Sequence, residues 1–307
     1  MTGPAAAGPR VLVGFDGSPA AIAALGVAAD LLPGADATVL HLWTPPFAGD
    51  VLRRRLVDRA RTVDELMGLV EQEGAAEAQR VARLGCVVAR AEGWTATARV
   101  ARSYGGDGLR FAAVAQESGA DLVLVGARGL SGVSAVLDST TDLVVQHSPV
   151  PVLVVPFPML VDERERARTG PVVVGWDGSP GAAQALHEAE ALLPGRPRVA
   201  VVVGDDDRGA VPLDGDGRGV TLRRVPAPHP VPGPARATAR ALAEAARREA
   251  ASVVVVGSRG RSTWRTELLG STALAVLRRT HVPVLVVPAA ARVTCGAEPV
   301  GSGAESS

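Results

Sequence analysis

Apolar residues in this chain fall in short unbroken runs instead of alternating with polar ones. Residues 11–13, 123–125 and 152–155 are such runs of Val and Leu, the pattern of strands buried on both faces of a sheet. Helical stretches lie between them. The first opens at Ser18-Pro19, a side-chain cap followed by proline at the first helical position, and stops at Pro33-Gly34. The first half thus predicts strand 10–15, helix 19–32, strand 37–43, a long helix 62–91, strand 95–102, helix 107–118, strand 121–126, helix 138–147 and strand 151–155. Strands alternating with helices imply right-handed crossovers and an α/β fold whose parallel sheet is covered on both faces.

The same blocks then recur. VLVGFDGSPAA at 11–21 returns as VVVGWDGSPGA at 172–182, and the same offset carries Leu31-Leu32-Pro33-Gly34 onto Leu192-Leu193-Pro194-Gly195. ADLVLVGARG at 120–129 returns as ASVVVVGSRG at 251–260, and VPVLVVP at 150–156 returns at 282–288. Four blocks in one order mark a duplication. The second copy is shorter. Its second and third strands, near 198–203 and 219–225, are joined by a Gly- and Asp-rich segment that cannot be a helix, so its long crossover helix is expected to be missing or residual. The expected domains are 10–158 and 171–290, after a flexible N-terminus (1–9), around a charged linker (159–170) and before a disordered tail (291–307).

Composition narrows the function. Lys+Arg and Asp+Glu balance at 32 each, so no net field favours DNA or a membrane surface. No apolar run approaches the ~20 residues of a membrane span, and the N-terminus lacks a secretory pattern, so a cytoplasmic location is expected. Every Lys+Arg residue is Arg, which excludes a P-loop and any Schiff-base lysine. Cys86 and Cys295 fit no metal or redox spacing. They read as a buried thiol and a tail thiol.

In an open parallel sheet, ligands bind beyond the carboxyl ends of strands where the strand order reverses. The first strand of each copy ends in Gly-Phe15-Asp16 or Gly-Trp176-Asp177. The fourth ends in a glycine loop, which in the second copy is Gly257-Ser-Arg259-Gly260, nine residues, then Gly270-Ser271. Glycines let backbone N–H groups approach a phosphate, Ser271 would open the next helix, and Arg259 and Arg261 add positive charge. Asp177 is instead an acceptor for a sugar hydroxyl, an adenine amine or Mg²⁺. An acceptor beside a phosphate cradle suggests a nucleotide. Asp16 and Asp177, each before Gly-Ser-Pro, also suit turn and capping roles.

These residues resemble the universal stress protein family over both copies, from Arg10 to Pro288, through the VxVGxDGS block, the G-x2-G-x9-G-[ST] loop and the closing VPVLVVP strand. The resemblance implies two Rossmann-like, adenine nucleotide alpha hydrolase-like domains, each a five-stranded parallel sheet of order 3-2-1-4-5 with helices on both faces. It implies ATP, with or without Mg, held in the second copy by Trp176, Asp177, Val203, Gly257, Arg259, Gly260, Gly270, Ser271 and Thr272. It also implies pairing through the last strands, from Val150 to Pro156 and from Val282 to Pro288, within one chain, and it is compatible with a further homodimer. Some members bind no ATP.

The first copy departs from the pattern. Its equivalent set is Phe15, Asp16, Leu42, Gly126, Gly129, Ser139 and Thr140, but alignment on the closing strand puts Asp138 where the second copy has Gly270. An ungapped reading puts Ser139 at the glycine position and Thr140 as the hydroxyl. The gapped reading is favoured because it keeps the hydroxyl-to-strand spacing equal. A carboxylate facing a triphosphate costs roughly 1–4 kcal/mol, so the first copy is expected to be the weaker ATP site.

Other features read blandly. The acidic stretch from Asp205 to Asp216 lacks calcium-loop spacing. The run Arg53-Arg54-Arg55 is a helix face or loop in a chain short of stacking aromatics, so no nucleic-acid partner is expected. The five histidines (41, 147, 187, 229 and 281) show no catalytic arrangement, and no catalytic or metal-ligating residue is assigned. The expected function is a stress-responsive, ATP-binding sensor or regulatory module. The alternatives are a nucleotide-free scaffold acting through protein contacts and, at most, a slow ATP hydrolase.

Overall fold

The computed structural model describes residues 8–44, 50–104, 106–128, 139–204, 220–228, 231, 233–258 and 269–289, excluding the side chains at 50–53, 128 and 139. The first copy runs β1 (Arg10–Gly14), α1 (Pro19–Leu31), β2 (Asp36–Trp43), α2 (Asp50–Val57), α3 (Val63–Ala91), β3 (Thr95–Arg102), α4 (Asp107–Glu117), β4 (Leu122–Arg128), α5 (Ser139–His147) and β5 (Val152–Phe157). After α6 (Val161–Thr169), the second runs β6 (Val172–Gly175), α7 (Pro180–Leu192), β7 (Arg198–Val203), β8 (Val220–Val225), α8 (Pro234–Arg248), β9 (Val253–Gly257), α9 (Ser271–Leu277) and β10 (Val284–Val287).

The ten strands of the described residues form one sheet of order β3-β2-β1-β4-β5-β10-β9-β6-β7-β8. Each half is parallel and ordered 3-2-1-4-5 in its own strands. The halves meet where β5 and β10 pair antiparallel, Leu153 opposite Leu285. Alternate residues of each apolar strand point to opposite faces, and the core follows. One cluster joins Val11, Val13, Leu153, Val172 and Leu285 under α1, α3 and α7. The other joins Leu12, Val123, Val152, Val173 and Val284 under α4 and α8. Each cluster crosses the β5–β10 junction, so the halves share both cores.

Local chemistry fixes the helices. Ser18 and Ser179 cap α1 and α7, accepting from the backbone N–H of Ala21 and Ala182 at 3.2 Å. Thr62 caps α3, accepting from Glu65 N at 3.1 Å. Gly85 lets α3 lie directly on Phe15 and Val39, where a Cβ would come within 2.9 and 2.6 Å.

Two segments differ from expectation. The short helix α2 stands ahead of α3 where no separate helix is predicted. The segment predicted as a linker is largely the helix α6, capped by Glu163, which accepts from Leu160 N at 2.7 Å. Its i,i+4 pair Asp162–Arg166 and its acidic first turn supply the helix stability that the absence of apolar periodicity hides. It is held against α1, with Arg168 3.5 Å from Asp30. The joining segment 205–219, the N-terminal residues 1–7 and the tail from 290 lie outside the described residues.

Candidate functional site

In each half the first strand has neighbours on both sides, β2 and β4 around β1, β7 and β9 around β6. These are the points where the strand order reverses. The chain leaves both strands identically. Phe15 N donates to Leu40 O and Trp176 N to Val201 O, both at 2.9 Å. Asp16 accepts from Ser18 N at 2.9 Å and Asp177 from Ser179 N at 3.0 Å. The intervening Gly17 and Gly178 take φ of 79° and 74°, a left-handed conformation suited to glycine. Both aspartates therefore shape the turn, whatever else they do.

In the first half this corner opens on a cleft of about 170 Å³. Of the residues expected there, Phe15, Asp16, Leu42, Gly126 and Thr140 line it. Ser139 starts α5, while Gly129 and Asp138 lie outside the described residues. Gly126 permits the close approach of β4 to α1, since a Cβ there would fall 2.5 Å from Ala20 O.

Sequence reasoning missed His41, Asp107, Phe111 and Thr141, which also line the cleft. His41 Nδ1 lies 2.8 Å from Phe15 O, and a carbonyl only accepts, so Nδ1 donates this hydrogen bond. Asp107, in the first turn of α4, accepts from the Ser103 hydroxyl. Phe111 lies against Gly14, where a Cβ would come within 2.9 Å of its ring. The available signal was the offset between the copies. The shift that takes Gly126 to Gly257 takes Phe111 to Leu242, the residue that faces Gly175 in the second half.

In the second half, Trp176 is 5% exposed. Its indole Nε1 is buried with no hydrogen-bond partner among the described residues. Val203 and Gly257 end β7 and β9. Gly270 N donates to Ser258 O at 2.7 Å, tying the far end of the glycine loop back to its start. Ser271 and Thr272 open α9. Arg259, Gly260 and Arg261 lie outside the described residues. Helices α5 and α9 begin at Ser139 and Ser271, the serines that the gapped alignment pairs.

Next to Thr141, Asp142 has one buried oxygen without a partner among the described residues. Desolvation raises its pKa, and Arg278 of the second half, 4.0 Å away, opposes the shift. Among the described residues no cluster of His, Cys, Asp and Glu could hold a metal. Cys86 is buried, and desolvation raises its pKa. Cys295 lies outside the described residues.

One sheet of two parallel halves, each with a crevice where the strand order reverses, defines a pair of Rossmann-like α/β domains. The model of the universal stress protein family matches residues 9–156 and 235–288, more than half of the chain. The chain belongs to that family. The match omits the first corner of the second copy, yet β6, α7 and β7 rebuild there the geometry of β1, α1 and β2.

A universal stress protein from Archaeoglobus fulgidus DSM 4304 is similar over 91% of this chain and 98% of its own, at 20% identity and a TM-score of 0.66. A putative universal stress protein from Pseudomonas aeruginosa UCBPP-PA14 is similar over 92% of this chain and 94% of its own, at 15% identity and a TM-score of 0.51. At these identities the likeness shows the fold. No curated protein matches the chain. Among the described residues no helix is long and apolar enough to cross a membrane.

Proposed function

We propose that this chain is a stress-response protein that binds adenine nucleotide, ATP above all and mainly in its second copy, as a sensor or regulatory module. The observation that carries the reading is Trp176. A buried indole N–H ordinarily has an acceptor, and this one has none among the described residues. It belongs to the residue that ends the first strand at the reversal point, where an adenine ring would bring its own acceptor nitrogens. Asp177 keeps a second carboxylate oxygen as acceptor for the base or ribose. Val203, at the end of β7, completes the base side. Gly257, Gly270, Ser271 and Thr272, with Arg259 and Gly260, would hold the phosphates. Phe15, Asp16, Leu42, Gly126, Gly129, Ser139 and Thr140 form the weaker equivalent.

Thermal melting of the purified protein with and without ATP tests the proposal. At an ATP concentration one hundred times Kd, binding to the folded state alone adds about 2.7 kcal/mol, a plain rise in Tm. Gly270→Asp removes the rise by placing a carboxylate against the phosphates. If the wild-type Tm ignores ATP, the sensor reading fails and the chain is a scaffold. Rapid multiple turnover would make it a hydrolase.

A further inference from the structure

Apolar side chains are spread unevenly over the surface. Among the described residues, the large ones that stand exposed lie in the first half and on α6, with Leu222 alone in the second half. Several of them share one layer of helices, in which α3 and α6 flank α1. A Cβ at Gly26 of α1 would come within 2.6 Å of Arg164 on α6 and within 3.2 Å of Glu92, which caps α3. The three helices run parallel. Gly17 faces Val81 while Gly26 faces Glu92, and Arg164 reaches Gly26 while Arg168 reaches Asp30. About one turn before these contacts stand Ile22 on α1, Leu160 and Val161 at the start of α6, and Val87 on α3. Leu160 is 65% exposed, Val161 90% and Val87 61%. Apolar groups gathered on one face and rimmed by charge mark an interaction surface. The second half does not repeat it. Ala183 stands for Ile22, and no helix is described between β7 and β8 to stand for α3.

The two flanks of this face differ in charge. On α6, Arg164 and Arg168 turn to Asp30 and Arg166 pairs with Asp162. Glu165, one turn beyond Val161, then has no ion-pair partner among the described residues. On α3, Arg80 pairs with Glu77. Arg90, one turn beyond Val87, donates to Ala96 O at 2.6 Å but has no carboxylate partner among the described residues, and neither does Arg83. One flank therefore offers Val161 followed by an open carboxylate, the other Val87 followed by a guanidinium, at the same spacing along parallel helices. Other surfaces suit self-association less. The last strands, β5 and β10, already pair within the chain. The free sheet edges, β3 and β8, carry Arg99 and Arg102 and Arg223 and Arg224, and charged edge strands resist joining.

We infer that the α3–α1–α6 face docks on the same face of a second copy of this chain, about a two-fold axis parallel to α1. Such an axis lays α6 of each copy on α3 of the other and α1 on α1. Val161 then meets Val87, Ile22 meets its own mate, and Glu165 meets Arg90, twice over. The contact does not depend on nucleotide binding in either half.

Sedimentation velocity of the full chain over a concentration series tests the inference. Wild type is expected at twice the 31.3 kDa of one chain. Val161→Glu should weaken the dimer by about tenfold or more, because a carboxylate from each copy enters an apolar contact. Val87→Glu, on the facing helix, should do the same. Glu165→Arg and Arg90→Glu should each weaken it by about tenfold, since each sets like charges together at two places. Mixing these two variants should restore the dimer, because each then meets the opposite charge in the other. Urea unfolding of every variant separates loss of docking from loss of fold, and the exposure of Val161 makes its variant the least disturbing to the fold. The inference is overturned if wild type remains a monomer at about 100 μM, if Val161→Glu and Val87→Glu dimerise like wild type, or if mixing the two charge variants restores nothing.

Discussion

At the end of the first strand the two halves use the same residues and the same bonds: an aromatic held by the neighbouring strand, an aspartate closing the turn, a glycine with positive φ and a serine capping the next helix. On the walls facing that corner they diverge, His41 against Val202, Asp107 against Thr238 and Phe111 against Leu242. What is kept fixes the backbone, and what is changed faces the crevice. One frame thus carries two differently lined corners, and the repeated sequence blocks are those with structural duties.

The largest expected effect tests the frame. In Gly126→Val the new side chain meets the Ala20 carbonyl 2.5 Å from its Cβ, so α1 must leave β4. Overpacking against backbone typically costs about 1–3 kcal/mol, and more where nothing can yield. Urea unfolding should show a loss at the upper end of that range. The same substitution at Gly257 sharpens the comparison, since an equal loss means that both halves are held as closely. A neutral Gly126→Val would show that the frame is looser than its geometry.

A second substitution addresses an asymmetry of the junction. The guanidinium of Arg196 donates to four carbonyls, those of Asp30 (3.0 Å), Ala167 (3.2 Å), Arg168 (2.9 Å) and Gly170 (3.2 Å). It ties the turn after α7 to α6 and to the end of α1. Burial lowers its pKa, opposed by Asp30, and Arg stays charged regardless. Its counterpart in the first half is Ala35, fully buried, so the staple exists once. Arg196→Ala should cost about 2 kcal/mol, since hydrogen bonds from a charged donor contribute roughly 1.5–3 kcal/mol. Faster amide exchange in α6 would locate the loss. Ala35→Gly offers a control that touches no staple.

Arg196 also shows where the sequence stops being readable. The strands and main helices of the first half were legible within a few residues, because unbroken Val runs and Ser-Pro caps act locally. The order of strands and the pairing of β5 with β10 were both expectations from the resemblance. Helix α6 was not legible, since its charged sequence has no apolar stripe and its docking depends on Asp30, far away in sequence. Of the site, the glycines and aspartates carry local signals. His41, Asp107 and Phe111 become neighbours only through the parallel register of β1 with β2 and the packing of α4, and neither is written in any one segment.

The smallest expected effect separates two equivalent core positions. The offset that takes Val11 to Val172 takes Val27, 2% exposed, to Glu188, 7% exposed. Glu188 accepts from Gln184 Nε2 at 2.9 Å. Desolvation nevertheless raises its pKa above the ordinary 4.5, with Asp121 adding to the shift, while Gln184 and His187 oppose it. The folded chain therefore holds this proton more tightly than the unfolded chain. Stability falls as pH climbs from about 4.5 through the folded value, and the penalty is complete above it. Glu188→Val copies the first half. It should stabilise the protein by about 1 kcal/mol at neutral pH, the lower end of the cost of burying a poorly compensated polar group. The gain should shrink as pH falls and disappear below about 4.5, where both states of the wild type are protonated. Urea midpoints across that range measure it. A gain independent of pH would mean that Val27 and Glu188 differ in packing and not in charge, and the two walls would then be more alike than their side chains suggest.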